Sequence, residues 1–324
     1  MRTSYPETQS ERDNWILARR AKSPSGRNPL DPLRPYSFFV EDERAASSEI
    51  VPIATLFLTN RECPWRCLMC DLWKNTLTDS VSQGAIPAQI DYALQHLPPA
   101  RQIKLYNSGN FFDPRAIPCE DYPAIAQRVA GFERIVVECH PALTGDNCFR
   151  FKQLLSGHLE VAMGLETVHP EILEKLNKRM TLEMFASAAT RLRENDVDLR
   201  VFILVKPPFL REEEALCWAE RSLDFAFDCG ATAATLIPTR AGNGAMEALA
   251  AAGDFLPPRL AILEAAVAYG INLGRGRVFA DLWDLKPGME CPHCSPERLA
   301  RLRRMNLQQA VPEAVVCTFC GGSC

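Results

Sequence analysis

Three features are absent from this sequence of 324 residues, and each absence narrows the class of protein. No apolar run reaches the ~20 residues of a membrane-spanning helix, so we expect no membrane contact. No apolar segment follows Met1, so we expect no secretory signal and a cytoplasmic location. There is no excess of basic residues, because the net charge is -4, and this argues against nucleic-acid binding by bulk electrostatics.

Basic charge is instead concentrated in two local stretches. One covers residues 19–27, and the other carries Arg298, Arg301, Arg303 and Arg304. A patch is what electrostatic steering requires, so these stretches keep a contact with nucleic acid open. The ordinary alternative is that they are solvated helix faces.

Cysteine is abundant, with thirteen residues. In a chain expected in a reducing compartment, so many cysteines indicate metal ligation and not disulfides. Cys63, Cys67 and Cys70 follow the apolar segment 51–59 with C-x3-C-x2-C spacing. Three thiolates ligate only three irons of a 4Fe-4S cubane, which leaves the vacant iron that a catalytic cluster needs. The alternatives are a zinc knuckle, although zinc motifs favour C-x2-C pairs, or three buried thiols.

This spacing resembles the signature of the radical S-adenosylmethionine (SAM) superfamily. In that superfamily the vacant iron binds SAM through its amino and carboxylate groups. An electron from the cluster then releases a 5'-deoxyadenosyl radical, which abstracts a substrate hydrogen. The resemblance implies a 4Fe-4S cluster and SAM as cofactors, and a reductant such as flavodoxin or ferredoxin as a partner.

The rest of the chain alternates between strand-like and helix-like segments. Predicted strands cover residues 51–59, 101–107, 134–139, 159–165, 198–205 and 231–237. Alternation of this kind implies a parallel sheet with right-handed crossovers, here an α/β fold with a partial (β/α)6 TIM-like barrel. We therefore expect an N-terminal wrap (1–48), a radical SAM partial barrel (49–275) and a Cys-rich metal-binding tail (276–324).

Barrel enzymes carry their sites at the C-terminal ends of the strands, which selects candidate cofactor ligands. Ser108, Gly109 and Asn110 form a turn after the second predicted strand, where a backbone can approach a ligand closely. Glu138 ends the third strand, where a carboxylate can contact ribose hydroxyls or the methionine ammonium. Glu166 ends the fourth strand, and it resembles a position of the superfamily that contacts the cofactor. The alternative is an ordinary turn with solvated acids.

Three further residues follow strand ends. His140 could transfer a proton, although a lone histidine is more often structural. Lys206 closes the fifth strand, and a lysine that faces into a barrel either contacts an anionic group or reaches solvent. Arg240 lies in the loop after the sixth strand and suits a carboxylate or phosphate. We expect His140 and Lys206 to be catalytic and Arg240 to bind cofactor.

The tail carries a second set of cysteines. Cys291 and Cys294 form one C-x2-C pair, and Cys317 and Cys320 form another, with Cys324 beyond them. Two such pairs match tetrahedral zinc ligation, although four thiolates could equally hold an auxiliary iron-sulfur cluster. We favour zinc, and we expect the tail either to close the open barrel or to contact a macromolecular substrate.

A closer resemblance rests on short segments that fall in a fixed order over roughly residues 30–270. They are residues 30–36, 63–70, 108–113, 164–167, 177–178, 206–209 and 257–258. The order is similar to that of the archaeosine synthase radical SAM subunit and its relatives near the Elongator catalytic subunit. The resemblance implies cleavage of a carbon-nitrogen bond in a lysine-bearing deazaguanine of tRNA, which leaves an amidine.

Two other functions are open on sequence alone. One is a tailoring or methylthiolating radical SAM enzyme that acts on a small molecule or peptide and holds a second iron-sulfur cluster in its tail. The other is a non-enzymatic iron-sulfur or zinc scaffold that binds RNA.

Overall fold

The computed structural model describes residues 5–23, 26–285 and 290–320, and its centre is one curled sheet of eight strands in the order β1 to β8. The first pairing is antiparallel and every later one is parallel. The α/β partial barrel is therefore confirmed. The strands are β1 (Ser37–Arg44), β2 (Ile50–Phe57), β3 (Gln102–Tyr106), β4 (Arg134–Glu138), β5 (His158–Glu166), β6 (Asp198–Val205), β7 (Ala233–Pro238) and β8 (Arg277–Ala280).

Ten α-helices accompany the sheet within the described residues. They are α1 (Gln9–Arg20), α2 (Ala85–His96), α3 (Tyr122–Arg128), α4 (Asp146–Leu154), α5 (Pro170–Lys175), α6 (Leu182–Glu194), α7 (Glu212–Asp228), α8 (Ala245–Ala252), α9 (Leu260–Leu273) and α10 (Ser295–Gln308). Local sequence explains where two of them begin. The Thr181 hydroxyl accepts the N–H of Met184 at 3.1 Å, and Pro170 opens α5, as expected of a capping hydroxyl and of proline in a first turn. No helix in this part of the chain is long and apolar enough to cross a membrane.

The floor of the barrel is a network of buried charges. Glu160 accepts hydrogen bonds from Arg134 at 3.0 Å, Arg200 at 2.6 Å and Arg277 at 3.0 Å. Arg200 also pairs with Glu43 at 2.6 Å. Burial disfavours the charged form of Glu160, but the three guanidinium groups outweigh it and lower its pKa to about 2. Removal of one partner from such a network leaves uncompensated charge inside the protein.

Helix α10 covers the open edge of the sheet. The Asn306 amide donates to the Ala280 carbonyl at 2.9 Å and accepts the Ala280 N–H at 2.8 Å. Gln309 makes the same two bonds with Val278, at 2.9 and 2.6 Å. An edge strand leaves alternate backbone groups without partners, and here two amide side chains supply them. Closure of the open barrel is the first of the two roles expected for the tail.

Two strands, β1 and β8, were not predicted from the sequence. β1 contains four consecutive charged residues, 41–44, which hide the strand pattern. Two of these acids, Glu41 and Glu43, pair with Lys104 of β3, so charge on this strand is used inside the barrel. β8 has only four residues, which is too short for a periodic signal.

Candidate active site and metal centres

The three cysteines of the loop after β2 line a cavity of about 990 Å³ at the C-terminal ends of the strands. Burial raises the pKa of Cys63 to about 11, and it also raises the pKa values of Cys67 and Cys70. Buried thiols of this kind ionise when a metal stabilises the thiolate. A set of three soft donors in a cavity wall fits a cluster with one ligand position facing the cavity.

Polar side chains from three distant elements hold the backbone of this loop. Arg20 of α1, Asn177 after α5 and Asn243 before α8 donate to loop carbonyls at 2.7 to 3.1 Å. Asn243 also accepts two N–H groups from the start of α8, at 2.8 and 3.0 Å. None of the three was predicted to contact the cysteine loop, because each is distant from it in the chain.

Glu138 holds the turn that was expected to bind cofactor. Its carboxylate accepts the backbone N–H of Asn107 at 2.9 Å and is bonded by the N–H groups of Ser108 and Gly109. Burial raises the pKa of Glu138 to about 7, although these N–H groups favour its charged form. Ser108, Gly109 and Glu138 therefore lie together in the cavity wall, with the turn ordered by the carboxylate.

Asn110 and His140 bind each other and the cluster loop. The Asn110 amide donates to the sulfur of Cys63 at 3.2 Å. Its oxygen accepts the backbone N–H of His140 at 2.6 Å. The His140 ring stacks on Trp65 of the loop, with centroids 4.1 Å apart. Asn110 and His140 are thus both in contact with the cysteine loop.

Both ring nitrogens of His140 are in use. Nδ1 accepts the N–H of Ala142 at 3.1 Å, so Nε2 carries the proton and donates to the Lys178 carbonyl at 3.1 Å. Burial lowers the pKa of His140 to about 3, which keeps the ring neutral. The ring of His140 is thus held in place by both nitrogens, and its expected role in proton transfer stays a prediction.

Glu166 forms a buried ion pair with Lys178 in the wall of the same cavity. A Cβ at Gly164 would collide with both charged groups, so glycine is required there for the pair to form. The Lys178 ammonium also favours the thiolate form of Cys67. Lys178 belongs to the segment 177–178 of the closer resemblance, but it was not predicted as a site residue, because it follows a short helix and not a strand.

The structure separates the two remaining candidates. Arg240 lines the large cavity, where it pairs with Asp284 at 2.9 Å and with Asp71 at 3.5 Å. Lys206 instead pairs with Glu212 and lines a second cavity of about 740 Å³. Arg240 is therefore beside the cysteine loop but already neutralised, whereas Lys206 is outside the cavity that contains the loop.

The four tail cysteines converge on one point. Their sulfur atoms lie within 4.8 Å of one another, with Cys291 3.9 Å from Cys317 and Cys294 3.9 Å from Cys320. A tetrahedral ion with metal-sulfur bonds of ~2.3 Å has sulfur-sulfur edges of ~3.8 Å. The spacing fits one metal ion. A 4Fe-4S cubane would need larger separations between the cysteine sulfurs, because its own iron-sulfur core would lie between them. Cys324 lies outside the described residues.

Comparison with known proteins supports the resemblance found in the sequence. No family model matches the chain. Uncharacterized protein MJ0550 of Methanocaldococcus jannaschii is 23% identical over 250 residues, which are 72% of this chain and 68% of that protein. Archaeosine synthase subunit beta of Methanosarcina acetivorans is 27% identical over 218 residues, 64% of this chain and 63% of that protein. The match thus spans about two thirds of each relative's length.

Two solved structures share the architecture. Methylornithine synthase (PylB) superposes with a TM-score of 0.52 at 11% identity, over 94% of this chain and 78% of that one. Elp3 of Methanocaldococcus infernus superposes with a TM-score of 0.50 at 14% identity, over 68% of this chain and 58% of that one. Both neighbours are radical SAM enzymes, so this chain has the fold of that group.

Proposed function

We propose that the chain is a radical SAM enzyme whose 4Fe-4S cluster is held by Cys63, Cys67 and Cys70. The observation that carries the proposal is that these thiols share one cavity with the turn at residues 108–110 and with Glu166. This cavity opens at the C-terminal ends of parallel strands, where barrel enzymes have their sites. When bound, the cluster and SAM supply the radical that removes a substrate hydrogen.

The residues of this chain orient and neutralise the bound groups. Arg20, Asn177 and Asn243 fix the path of the cysteine loop, and Glu138 orders the turn opposite it. The Lys178 ammonium offsets part of the negative charge that three thiolates bring into a buried site.

For the substrate, we propose a modified base of tRNA that undergoes cleavage of a carbon-nitrogen bond. The support is the 27% identity to archaeosine synthase subunit beta, together with the ordered motifs from residue 30 to residue 270. A cavity of about 990 Å³ is of the size that holds a small organic ligand with most of its surface buried. We also propose that a flavodoxin or ferredoxin reduces the cluster. The location proposed for the reaction is the cytoplasm.

For the tail, we propose one structural zinc ion on Cys291, Cys294, Cys317 and Cys320. Two observations support zinc over an auxiliary cluster: the separations of 3.9 Å between paired sulfurs and the mutual proximity of all four. Four thiolates around one ion leave no open position, which is typical of a structural site. The ion would fix the start of α10, because Cys294 immediately precedes that helix.

An assay for 5'-deoxyadenosine tests the enzymatic proposal. Anaerobically reconstituted protein, SAM and dithionite should yield 5'-deoxyadenosine with the wild type and with Cys217→Ala, which changes an exposed cysteine of α7. Cys67→Ala should yield none, because the cluster loses one of its three ligands. Equal product from Cys67→Ala would refute the proposal.

The same assay tests the substrate. tRNA that carries the lysine-bearing deazaguanine should raise the yield of 5'-deoxyadenosine and lose its lysine group, whereas unmodified tRNA should do neither. Stimulation by a peptide and not by the modified tRNA would favour the tailoring alternative.

A further inference from the structure

An aromatic pair with one exposed and one half-buried ring lies at the mouth of the large cavity, where the barrel is open. Trp283 follows β8 and Phe39 lies in β1, so the two residues belong to the two ends of the sheet. Their rings are stacked with centroids 5.5 Å apart and an angle of 23°, and both line the cavity. Trp283 is 60% exposed. A tryptophan ring left open to a cavity offers a flat surface for another aromatic ring.

A free guanidinium group lies at the same mouth. Arg303 of α10 is exposed and lines the cavity, and it has no hydrogen bond or ion pair to any residue that the structure describes. Its neighbours Arg298 and Arg301 on the helix are both paired with the buried Glu264. In the cavity wall, Arg200 and Arg240 also have acidic partners. Arg303 therefore differs from the other arginines that line the cavity, since Arg20 is also paired, with Glu62.

The fold fixes Arg303 relative to the aromatic pair. Asn306, one helical turn after Arg303, makes two hydrogen bonds with Ala280. Ala280 is the last residue of β8, three positions before Trp283. The helix that carries the cation and the segment that carries the exposed ring are thus joined at one point.

We propose that Trp283, Phe39 and Arg303 form a nucleotide subsite. The base stacks on the exposed face of Trp283, and Arg303 donates to the phosphate. Stacking is tolerant of base identity, and a guanidinium group binds phosphate through two parallel hydrogen bonds. The Asp281 carboxylate accepts the backbone N–H of Trp283 at 3.0 Å, and Asp284 is adjacent, so a bare anion is repelled and needs the ring to bind. This inference rests on the proposed function and specifies that the substrate is held as a nucleotide, not as a free base.

Binding to the intact, metal-loaded protein tests the subsite without SAM or reductant. Isothermal titration with guanosine 5'-monophosphate, guanosine and inorganic phosphate should give the tightest binding for the nucleotide and the weakest for phosphate. Trp283→Ala should weaken binding of nucleotide and nucleoside about tenfold, and Trp283→Phe should recover most of it. Arg303→Gln should weaken nucleotide binding about fivefold and leave guanosine unchanged. The matched control is Arg304→Gln, an exposed arginine outside the cavity wall, which should change neither.

Two results would overturn the subsite: wild-type affinity for the nucleotide in Trp283→Ala, or equal losses in Arg303→Gln and Arg304→Gln. Failure of the proposed function gives a different result, because the titration needs no radical chemistry. If the wild type forms no 5'-deoxyadenosine while the titrations follow the expected pattern, the enzymatic proposal fails and the subsite stands.

Discussion

Cysteine side chains are arranged in two different ways in this protein. One set is Cys63, Cys67 and Cys70 in the loop after β2, and the other is the set of four in the tail, from Cys291 to Cys320. The loop offers three half-buried cysteines in the wall of a large cavity. The tail offers four sulfurs that lie within 4.8 Å of one another. Three ligands leave a position for a reacting molecule, whereas four ligands around one ion close the site. The number and spacing of the thiols, and not the residue type, therefore separate a catalytic metal site from a structural one.

The two sites are also attached to the barrel differently. Hydrogen bonds from Arg20, Asn177 and Asn243 hold the loop, so its surroundings would set the position of the proposed cluster. The tail instead precedes and follows α10, which supplies Asn306 and Gln309 to the edge of β8. Damage to the loop should affect chemistry more than folding, and damage to the tail should affect folding more than the cluster.

The largest loss of stability should come from a change in the barrel that touches neither cysteine set. Glu160→Gln leaves three buried guanidinium groups without their shared carboxylate, so we expect a loss of about 3 to 5 kcal/mol. Urea unfolding at pH 7 measures it. Glu133→Gln is the control, because it removes an exposed pair with Arg101 and should cost less than about 1 kcal/mol. Equal losses in the two variants would contradict the role of the buried network.

Acid pH tests the same carboxylate with the sequence unchanged. The folded-state pKa of Glu160 is about 2, below the ordinary glutamate value of 4.5, so the folded protein binds fewer protons than the unfolded chain. The contribution of Glu160 is complete above about pH 4.5 and is lost as the pH falls toward 2. Between pH 5 and pH 3, the wild type should therefore lose more stability than Glu160→Gln.

The next largest effect should come from a change in the tail, and it should leave the metal content of the loop unchanged. Cys317→Ser removes one of four zinc ligands, so zinc content should fall from about one ion per chain toward zero, with a drop in Tm of about 5 °C. Iron content should stay at the wild-type value. Cys217→Ser changes an exposed cysteine of α7 and should alter none of these. A parallel fall in iron would show that the two sites are not independent.

A smaller effect should come from Asn243, where two substitutions distinguish its contacts with the loop from its contacts with α8. Asn243→Ala removes both the donors to the loop and the cap of α8, so iron content and Tm should both decrease, Tm by about 2 to 4 °C. Asn243→Asp keeps oxygens that accept the N–H groups of α8 but cannot donate to the loop. Its iron content should therefore match the alanine variant, with a smaller change in Tm. Wild-type iron content in both variants would contradict the role given to Asn243.

Cysteine spacing and apolar alternation made the cluster loop, the tail site and the barrel predictable from sequence, because each follows a local pattern. Side chains whose partners are distant in the chain were not predictable. Lys178 lies in the cavity wall, where it pairs with Glu166. Lys206 lies outside that cavity and pairs with Glu212. The strand β1 was missed because the partners of its charged residues lie across the barrel.

Metal analysis of two proteins tests the central distinction most directly. Reconstituted wild type should contain about four irons and one zinc per chain. The variant Cys63→Ala/Cys67→Ala/Cys70→Ala should contain no iron and still one zinc, because only the loop binds the cluster. About eight irons and no zinc in the wild type, or about four irons that persist in the triple variant, would place a cluster in the tail and contradict the account.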